Sequence, residues 1–307
     1  MIVLLTGATG FVGTNLTRYL RDEGYSVCCV GSRTWDLRRQ EACEAMMDQI
    51  RPDIVIHAAG AVGGIGANQT HPGKFMYENL IMGANVVHSC MLSKVKKLIM
   101  LGTVCSYPKF TNVPFKEDDI WNGYPEETNA PYGIAKHTIN ELTRHYLTEY
   151  GLNSVNLIPV NMYGPHDNFD LKTSHVIPAL IRKIDAAQIA GEPLKVWGTG
   201  KASREFLHVR DFCGAVVQAI KFKGVYTEPI NIGTGHEVTI KVLIDELVSQ
   251  FGFSGDIRYD QSKSDGQPRR SLNIERAAGK LGYRCNVQLQ EGLAEVIQWY
   301  RDNKETL

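Results

Sequence analysis

The chain has 307 residues, and its 33 Lys and Arg balance 33 Asp and Glu, so its formal net charge at pH 7 is zero. That balance excludes a global basic field that would draw the protein to nucleic acid or an anionic membrane. With 43% hydrophobic and 21% charged residues, the composition is that of a soluble globular enzyme, long enough for one large domain or two sharing a core. The opening MIVLLTGATG is apolar only briefly and lacks a basic leader, so no signal peptide is expected. No apolar run approaches the ~18 residues of a membrane-spanning helix. The seven cysteines are odd in number, scattered and without a C-x-x-C pair. They argue against a zinc site or a disulfide framework and for a reducing cytoplasm.

In chain order, MIVLLT reads as a strand, a glycine turn follows, and GTNLTRYLRDEG has helical spacing. YSVCCVG is the next strand, QEACEAMMDQIR a helix and DIVIHAAG a third strand. PGKFMYENLIMGANVVHSCMLSK is a long helix, VKKLIMLG a strand, PYGIAKHTINELTRHYLTEYG a second long helix and LNSVNLIPV a fifth strand. Strands alternating with helices predict an α/β fold, a doubly wound parallel sheet covered on both faces. After about residue 164 the rhythm breaks into turn-rich segments such as YGPHDNFDLKTSH and VWGTGKASREF. The expected division is a Rossmann-type domain over 1–163, with parts of about 205–235 packing back on it. A smaller C-terminal α/β substrate domain would cover mainly 164–307.

The turn TGATGFVG spaces Gly7, Gly10 and Gly13 three apart between a strand and a helix. Glycines permit a tight turn and a close approach to a pyrophosphate, and the helix N-terminus adds N–H groups and partial positive charge. A glycine trio alone is a weak signal, but in this context it points to a dinucleotide. The second strand ends in CVGSR, with no acid to hold the ribose hydroxyls of NAD; Arg33 stands there instead. A guanidinium pairs with a 2′-phosphate, so NADP(H) is the expected cofactor. Asp36 comes too late for the ribose and is expected to cap a turn.

PYGIAK places Tyr132 and Lys136 four apart on one face of a helix. An ammonium close to a phenol would lower its pKa and make it a proton donor and acceptor near neutrality. Thr103 supplies a hydroxyl at the end of the fourth strand, and Cys105 follows two residues later. A lone cysteine there admits four readings: a buried spacer, a metal ligand, half a disulfide or an acid/base.

The combination of TGxxGxxG, Thr103 and Tyr132-x-x-x-Lys136 resembles the extended short-chain dehydrogenase/reductases. Within them, the stretches VGGIGAN, CSYPK, APYGIAK, YGPHDNF, SHVIPAL, VWGTG, REFLHV, NIGTG and DGQPRR resemble the GDP-L-fucose synthase family. The resemblance implies NADPH-dependent 3,5-epimerisation and 4-reduction of a GDP-4-keto-6-deoxy sugar. The C4 ketone acidifies the hydrogens at C3 and C5, so each centre can invert through an enolate. Carried over, the catalytic set is Thr103, Cys105, Tyr132, Lys136 and His175, with Cys105 and His175 moving protons on opposite faces. Thr103 stands where the family has serine; the hydroxyl is kept but its rotamers are fewer.

For the cofactor, the resemblance implies Gly7, Thr9, Gly10, Phe11, Val12 and Gly13 in the turn and first helix, with Arg33 beyond the second strand. Ala58, Ala59 and Gly60 follow the third strand, Leu101 and Gly102 end the fourth, and Pro159, Asn161 and Met162 follow the fifth. Tyr132, Lys136 and His175 complete that set. For the GDP-sugar it implies Lys183, Trp197, Arg204, Asp265 and Arg270. Lys183 replaces a usual arginine, a change that is not neutral for bidentate phosphate binding. The two long helices near 74–94 and 131–150 would pair between subunits as a homodimer with a four-helix interface. No metal is implied, nor any nucleic-acid or membrane partner.

Three other readings stand beside this one. A related GDP-sugar reductase-epimerase, making colitose or a 6-deoxy-heptose or inverting only one centre, would share the catalytic set. A simple 4-epimerase would keep NAD(H) through its cycle, which Arg33, Cys105 and His175 oppose. A non-catalytic nucleotide-sugar sensor would need none of Tyr132, Lys136, Cys105 and His175.

Overall fold

The five apolar runs read from the sequence form five neighbouring strands of one sheet in the computed structural model, which describes residues 1–307 except Lys172, Ser264 and the side chain of Ile65. They are β1 (Ile2–Thr6), β2 (Ser26–Val30), β3 (Ile54–His57), β4 (Lys97–Leu101) and β5 (Ser154–Pro159). Between them run α1 (Phe11–Asp22), α2 (Gln40–Ile50), the short α3 (Ile65–Thr70), α4 (Pro72–Leu92) and α5 (Ala130–Tyr150). The second half adds β6 (Asn161–Tyr163), α6 (Val176–Ala190), β7 (Leu194–Trp197), β8 (Ser203–His208) and α7 (Val209–Lys221). It continues through β9 (Ile230–Ile232), β10 (Glu237–Thr239), α8 (Ile240–Phe251), β11 (Ile257–Asp260), β12 (Arg269–Arg270), α9 (Glu275–Leu281) and α10 (Leu289–Asn303).

The central sheet has the order β2-β1-β3-β4-β5-β9, and every pair in it is parallel. From β1 the chain goes first to one side and then to the other, which opens a crevice at the carboxyl ends of β1 and β3. Alternation along each strand divides the core. Val3, Leu5, Ile54, Ile56 and Ile99 meet α1 and α7 through Leu16, Leu20, Phe212 and Val216. Leu4, Val55, Leu98 and Met100 meet α2, α4 and α5 through Met46, Met47, Val86 and Ile139. Both faces are therefore apolar, as a parallel sheet requires. A separate core joins α6, α8 and α10 through Ile181, Ile184, Leu247, Leu293 and Ile297. Beside it lie a four-stranded group built on β8, with β6, β10 and β12, and the parallel pair β7–β11.

Lys97 departs from the apolar pattern of β4. It is buried, and its ammonium donates to the carbonyls of Ala219 and Ile220, each at 3.1 Å, and of Phe222. These are orphan acceptors at the end of α7, where a cation also opposes the helix dipole. A charge inside the VKKLIM run thus fastens α7 under the sheet. α4 and α5 lie side by side, with Ile139 seated on Gly83, where a Cβ would come within 2.7 Å of its side chain.

Candidate active site

The turn after β1 uses its three glycines for three different reasons. Gly7 has φ +69°, and a Cβ there would come within 2.6 Å of the Ala59 amide. A Cβ on Gly13 would overlap the Gly7 carbonyl. At Gly10 it would meet only the Gly7 carbonyl, at 3.5 Å, so this glycine leaves open space at the start of α1. The first turn of α1, Phe11 and Val12 included, has no side-chain cap. Its amides form a cradle suited to a diphosphate.

The other expected cofactor residues border the same edge. Thr9 lies against Gly31 beyond β2, and Arg33 is exposed two residues further on. Ala58, Ala59 and Gly60 follow β3, Leu101 ends β4 and Gly102 follows it, Pro159 ends β5, and Asn161 and Met162 open β6. Asp36 caps a turn as expected: it accepts the Arg38 amide at 3.1 Å and the Arg38 guanidinium at 2.8 Å, which holds its carboxyl down to about 2.

β4 ends against the first turn of α5. Thr103 is buried and its Oγ1 accepts the Cys105 N–H at 3.2 Å, which starts a single 3-10 turn over Val104–Ser106. The Tyr132 hydroxyl comes close enough to that of Thr103 for the two to interact. Gly133 makes the approach possible, since a Cβ there would overlap the Cys105 carbonyl. Ser106 Oγ closes the contact by donating to the Gly133 carbonyl at 2.8 Å. Phenol, hydroxyl and thiol are thus gathered at one strand end.

The expected lowering of Tyr132 is corrected by the structure. Burial raises the phenol, the neighbouring Cys105 adds to the rise, the Thr103 hydroxyl opposes it, and Lys136 is not among the groups acting on it. Lys136 itself is buried and is pushed down to about 8. Its Nζ lies beside Gly60, 3.6 Å from where a Cβ would stand. It makes no ion pair among the described residues. A buried ammonium facing a glycine edge suits a polar ligand.

His175 occupies the N-cap position of α6 but gives no side-chain cap. It is open to solvent, yet the protein around it lowers its pKa by desolvation, so the imidazole is neutral at pH 7. Both hold for a side chain on the wall of a cleft. The preceding residues rest on the loop after β3, with the Ser174 carbonyl 3.5 Å from a Cβ built on Gly64. No hydrogen bond joins His175 to Cys105, Thr103 or Tyr132 among the described residues.

The expected substrate residues form two groups. Arg204 and Arg270 are register partners across β8 and β12, and burial together with Arg270 lowers Arg204 to about 10. Arg204 donates to the Asp265 carbonyl at 3.1 Å. The Asp265 carboxylate is already held by the Thr199 amide and hydroxyl, at 2.7 and 2.6 Å. In the second group the Lys183 ammonium lies 4.8 Å from the centroid of the exposed Trp197 ring. Arg182, its neighbour, is spent on the Phe169 carbonyl at 3.0 Å.

What keeps β12 on β8 is a residue that sequence reasoning passed over. Glu205 is fully buried. One carboxylate oxygen accepts from the amides of Thr234 and Gly235, the latter at 2.9 Å. The other accepts from the Leu272 amide at 2.7 Å and the Ser271 hydroxyl at 2.9 Å. Its backbone carbonyl accepts from Asn161 at 3.0 Å. NIGTG, REFLHV and DGQPRR are therefore tied together by one side chain. Glu205→Ala would leave the buried Leu272 amide and Ser271 hydroxyl without their acceptor, at ~1–3 kcal/mol each, and free the part-buried Thr234 and Gly235 amides, so a loss of about 3–5 kcal/mol is expected in urea unfolding. Glu205→Gln should lose less, and wild-type stability in Glu205→Ala would contradict this account.

Residues 3–233 match the NAD dependent epimerase/dehydratase family. A GDP-L-fucose synthase from Sinorhizobium fredii is 41% identical over 302 residues, spanning 98% of this chain and 96% of that protein. The chain belongs to this family, in its GDP-L-fucose synthase branch. A GDP-L-colitose synthase from Yersinia pseudotuberculosis is 34% identical over 99% of both chains. The solved structure of a GDP-L-fucose synthetase from Naegleria fowleri bound to NADP aligns with a TM-score of 0.91 at 28% identity, covering 99% of this chain and 95% of that one. Across the branch's motifs, sequence reasoning missed two contacts: the Glu205 hub and the approach of Arg270 to Cys105, at 3.8 Å. A charged residue inside the apolar run EFLHV was the available signal for the first; nothing local signals the second.

Proposed function

We propose that this chain converts GDP-4-keto-6-deoxy-mannose to GDP-L-fucose by epimerisation at C3 and C5 and NADPH-dependent reduction at C4. The observation that carries the reading is the meeting of Thr103, Tyr132 and Cys105 at the end of β4. The first two suit a C4 oxygen, and a thiol beside them has no use in plain reduction.

NADP(H) fits the residues at the sheet edge. The open space at Gly10 and the uncapped start of α1 suit its diphosphate, Lys136 its nicotinamide ribose, and Arg33 a 2′-phosphate. When bound, the cofactor supplies the hydride to C4. Cys105 as thiolate removes the hydrogen at C3 or C5, and the electron pair passes to the C4 oxygen. Thr103 and Tyr132 hydrogen-bond that oxygen as its charge grows. His175 returns a proton to the opposite face, and Tyr132, which burial keeps protonated, gives its proton to the C4 oxygen during reduction. Arg204, Arg270 and Lys183 would hold the diphosphate, with Trp197 and Asp265 completing the pocket. Residues 1–163 and parts of 205–235 serve the cofactor, and 164–307 mainly the GDP-sugar.

The colitose-type relative favours a second reading, a different GDP-4-keto sugar on the same catalytic set. Incubation with NADPH and a panel of GDP-4-keto sugars, with NMR of the products, separates the two. GDP-L-fucose is expected; turnover of another sugar alone would replace the first reading. Arg33→Ala should raise KM for NADPH much more than for NADH. A wild-type enzyme with kcat/KM for NADH at or above that for NADPH would remove Arg33 from cofactor choice.

A homodimer through α4 and α5 belongs to the same proposal. Met76, Tyr77, Leu92 and Tyr150 are exposed along that helix pair, an apolar surface that two copies could cover as four helices. Seven free thiols suit a reducing cytoplasm. Among the described residues no helix is long and apolar enough to cross a membrane.

A further inference from the structure

Arg270 has two possible clients, the substrate's diphosphate and the thiol beside it. Its Nη1 donates to Cys105 Sγ at 3.8 Å. Its Nε donates to Gln267 Oε1 at 3.2 Å, and Gln267 Nε2 donates to the Lys109 carbonyl at 2.9 Å. The guanidinium is thus braced against the segment that follows Cys105, while β12 is pinned to β8 through Glu205. No carboxylate pairs with Arg270 among the described residues. Asp265 is turned to Thr199, and Glu205 to backbone amides. A cation without a carboxylate, held against a sulfur, is the arrangement that favours a thiolate.

We propose that Arg270 is a catalytic residue that stabilises the Cys105 thiolate, in addition to any contact with the diphosphate. The proposal rests on Cys105 being the base that removes the C3 and C5 hydrogens. In that step the C–H bond breaks, the S–H bond forms, and the electron pair becomes the enolate at C4–O. The negative charge moves from sulfur to oxygen. Arg270 lowers the cost of holding it on sulfur beforehand. The groups facing the thiol are Tyr132 from α5, whose ionised form would oppose the thiolate, and Arg270 from β12, with Arg204 of β8 behind it. The Thr103 hydroxyl is the neutral neighbour on its own segment.

The test is iodoacetamide alkylation of the Cys105 peptide, resolved by mass spectrometry from neutral to alkaline pH. In Arg270→Gln the midpoint should rise by about one pH unit, with alkylation about tenfold slower at neutral pH. Arg270→Lys keeps the charge and should recover part of the shift. Cys29 is exposed and serves as an internal control whose profile should not move. If Arg270→Gln does not fold, Gln267→Leu removes the brace alone and should give a smaller shift in the same direction. Superimposable Cys105 profiles for the wild type and the folded variant would overturn the proposal. A failure of the underlying function would look different: solvent-hydrogen exchange persisting in Cys105→Ser, with the Arg270 shift intact.

Discussion

Tyr132→Phe should lower NADPH oxidation by ~10²–10⁴-fold, the usual worth of a positioned general acid. The phenylalanine keeps the ring that packs at the start of α5 and removes only the hydroxyl that meets Thr103. The local backbone is fixed by other contacts, the Ser106 bond to the Gly133 carbonyl and the close seat of Gly133 on Cys105. The loss should therefore appear in hydride transfer, followed as NADPH absorbance in a single turnover, with the unfolding midpoint unchanged. Lowering the pH within the folded range should not rescue the variant, because phenylalanine carries no proton to give. Exchange at C3 and C5 should fall less, because Thr103 still meets the C4 oxygen. NADPH oxidation within a few-fold of wild type would remove Tyr132 from the reduction.

Local pattern carried much of this molecule. The parallel sheet follows from unbroken apolar runs such as LIML, and the dinucleotide turn from glycines between a strand and a helix. The two long helices follow from their helical spacing. The turn-rich second half was less legible, because β6, β10 and β12 are two or three residues long and exist only through β8. Contacts that cross the chain leave no local trace. Arg270 reaches Cys105 over 165 residues, and Glu205 reaches Leu272 over 67. The electrostatic expectation at Tyr132 failed for a related reason. Helical spacing places Lys136 on the same face, but it does not report that the phenol is buried beside Cys105 and that Lys136 does not act on it. In the same way the sequence marks His175 as a residue before an apolar helix and leaves open whether it caps that helix. Its side chain forms no cap and faces solvent.

The central claim is that Cys105 moves protons rather than packing, chelating or cross-linking. It is a free thiol, partly exposed, with a guanidinium beside it and a Thr103–Tyr132 pair at its back. Among the described residues no group of three or more His, Cys, Asp or Glu could hold a metal. Serine at this position keeps the size and polarity of the side chain, but an alcohol ionises far less readily than a thiol, so the base is lost while the fold and NADPH binding remain. The decisive measurement is deuterium incorporation at C3 and C5 of GDP-4-keto-6-deoxy-mannose in D₂O, followed by NMR in the wild type and in Cys105→Ser. The account predicts rapid incorporation by the wild type and at least a hundredfold loss, on the order of a removed general base, in Cys105→Ser, with any reduction that survives giving a sugar not inverted at C3 and C5. Incorporation at the wild-type rate in Cys105→Ser would contradict it and return the cysteine to a packing role.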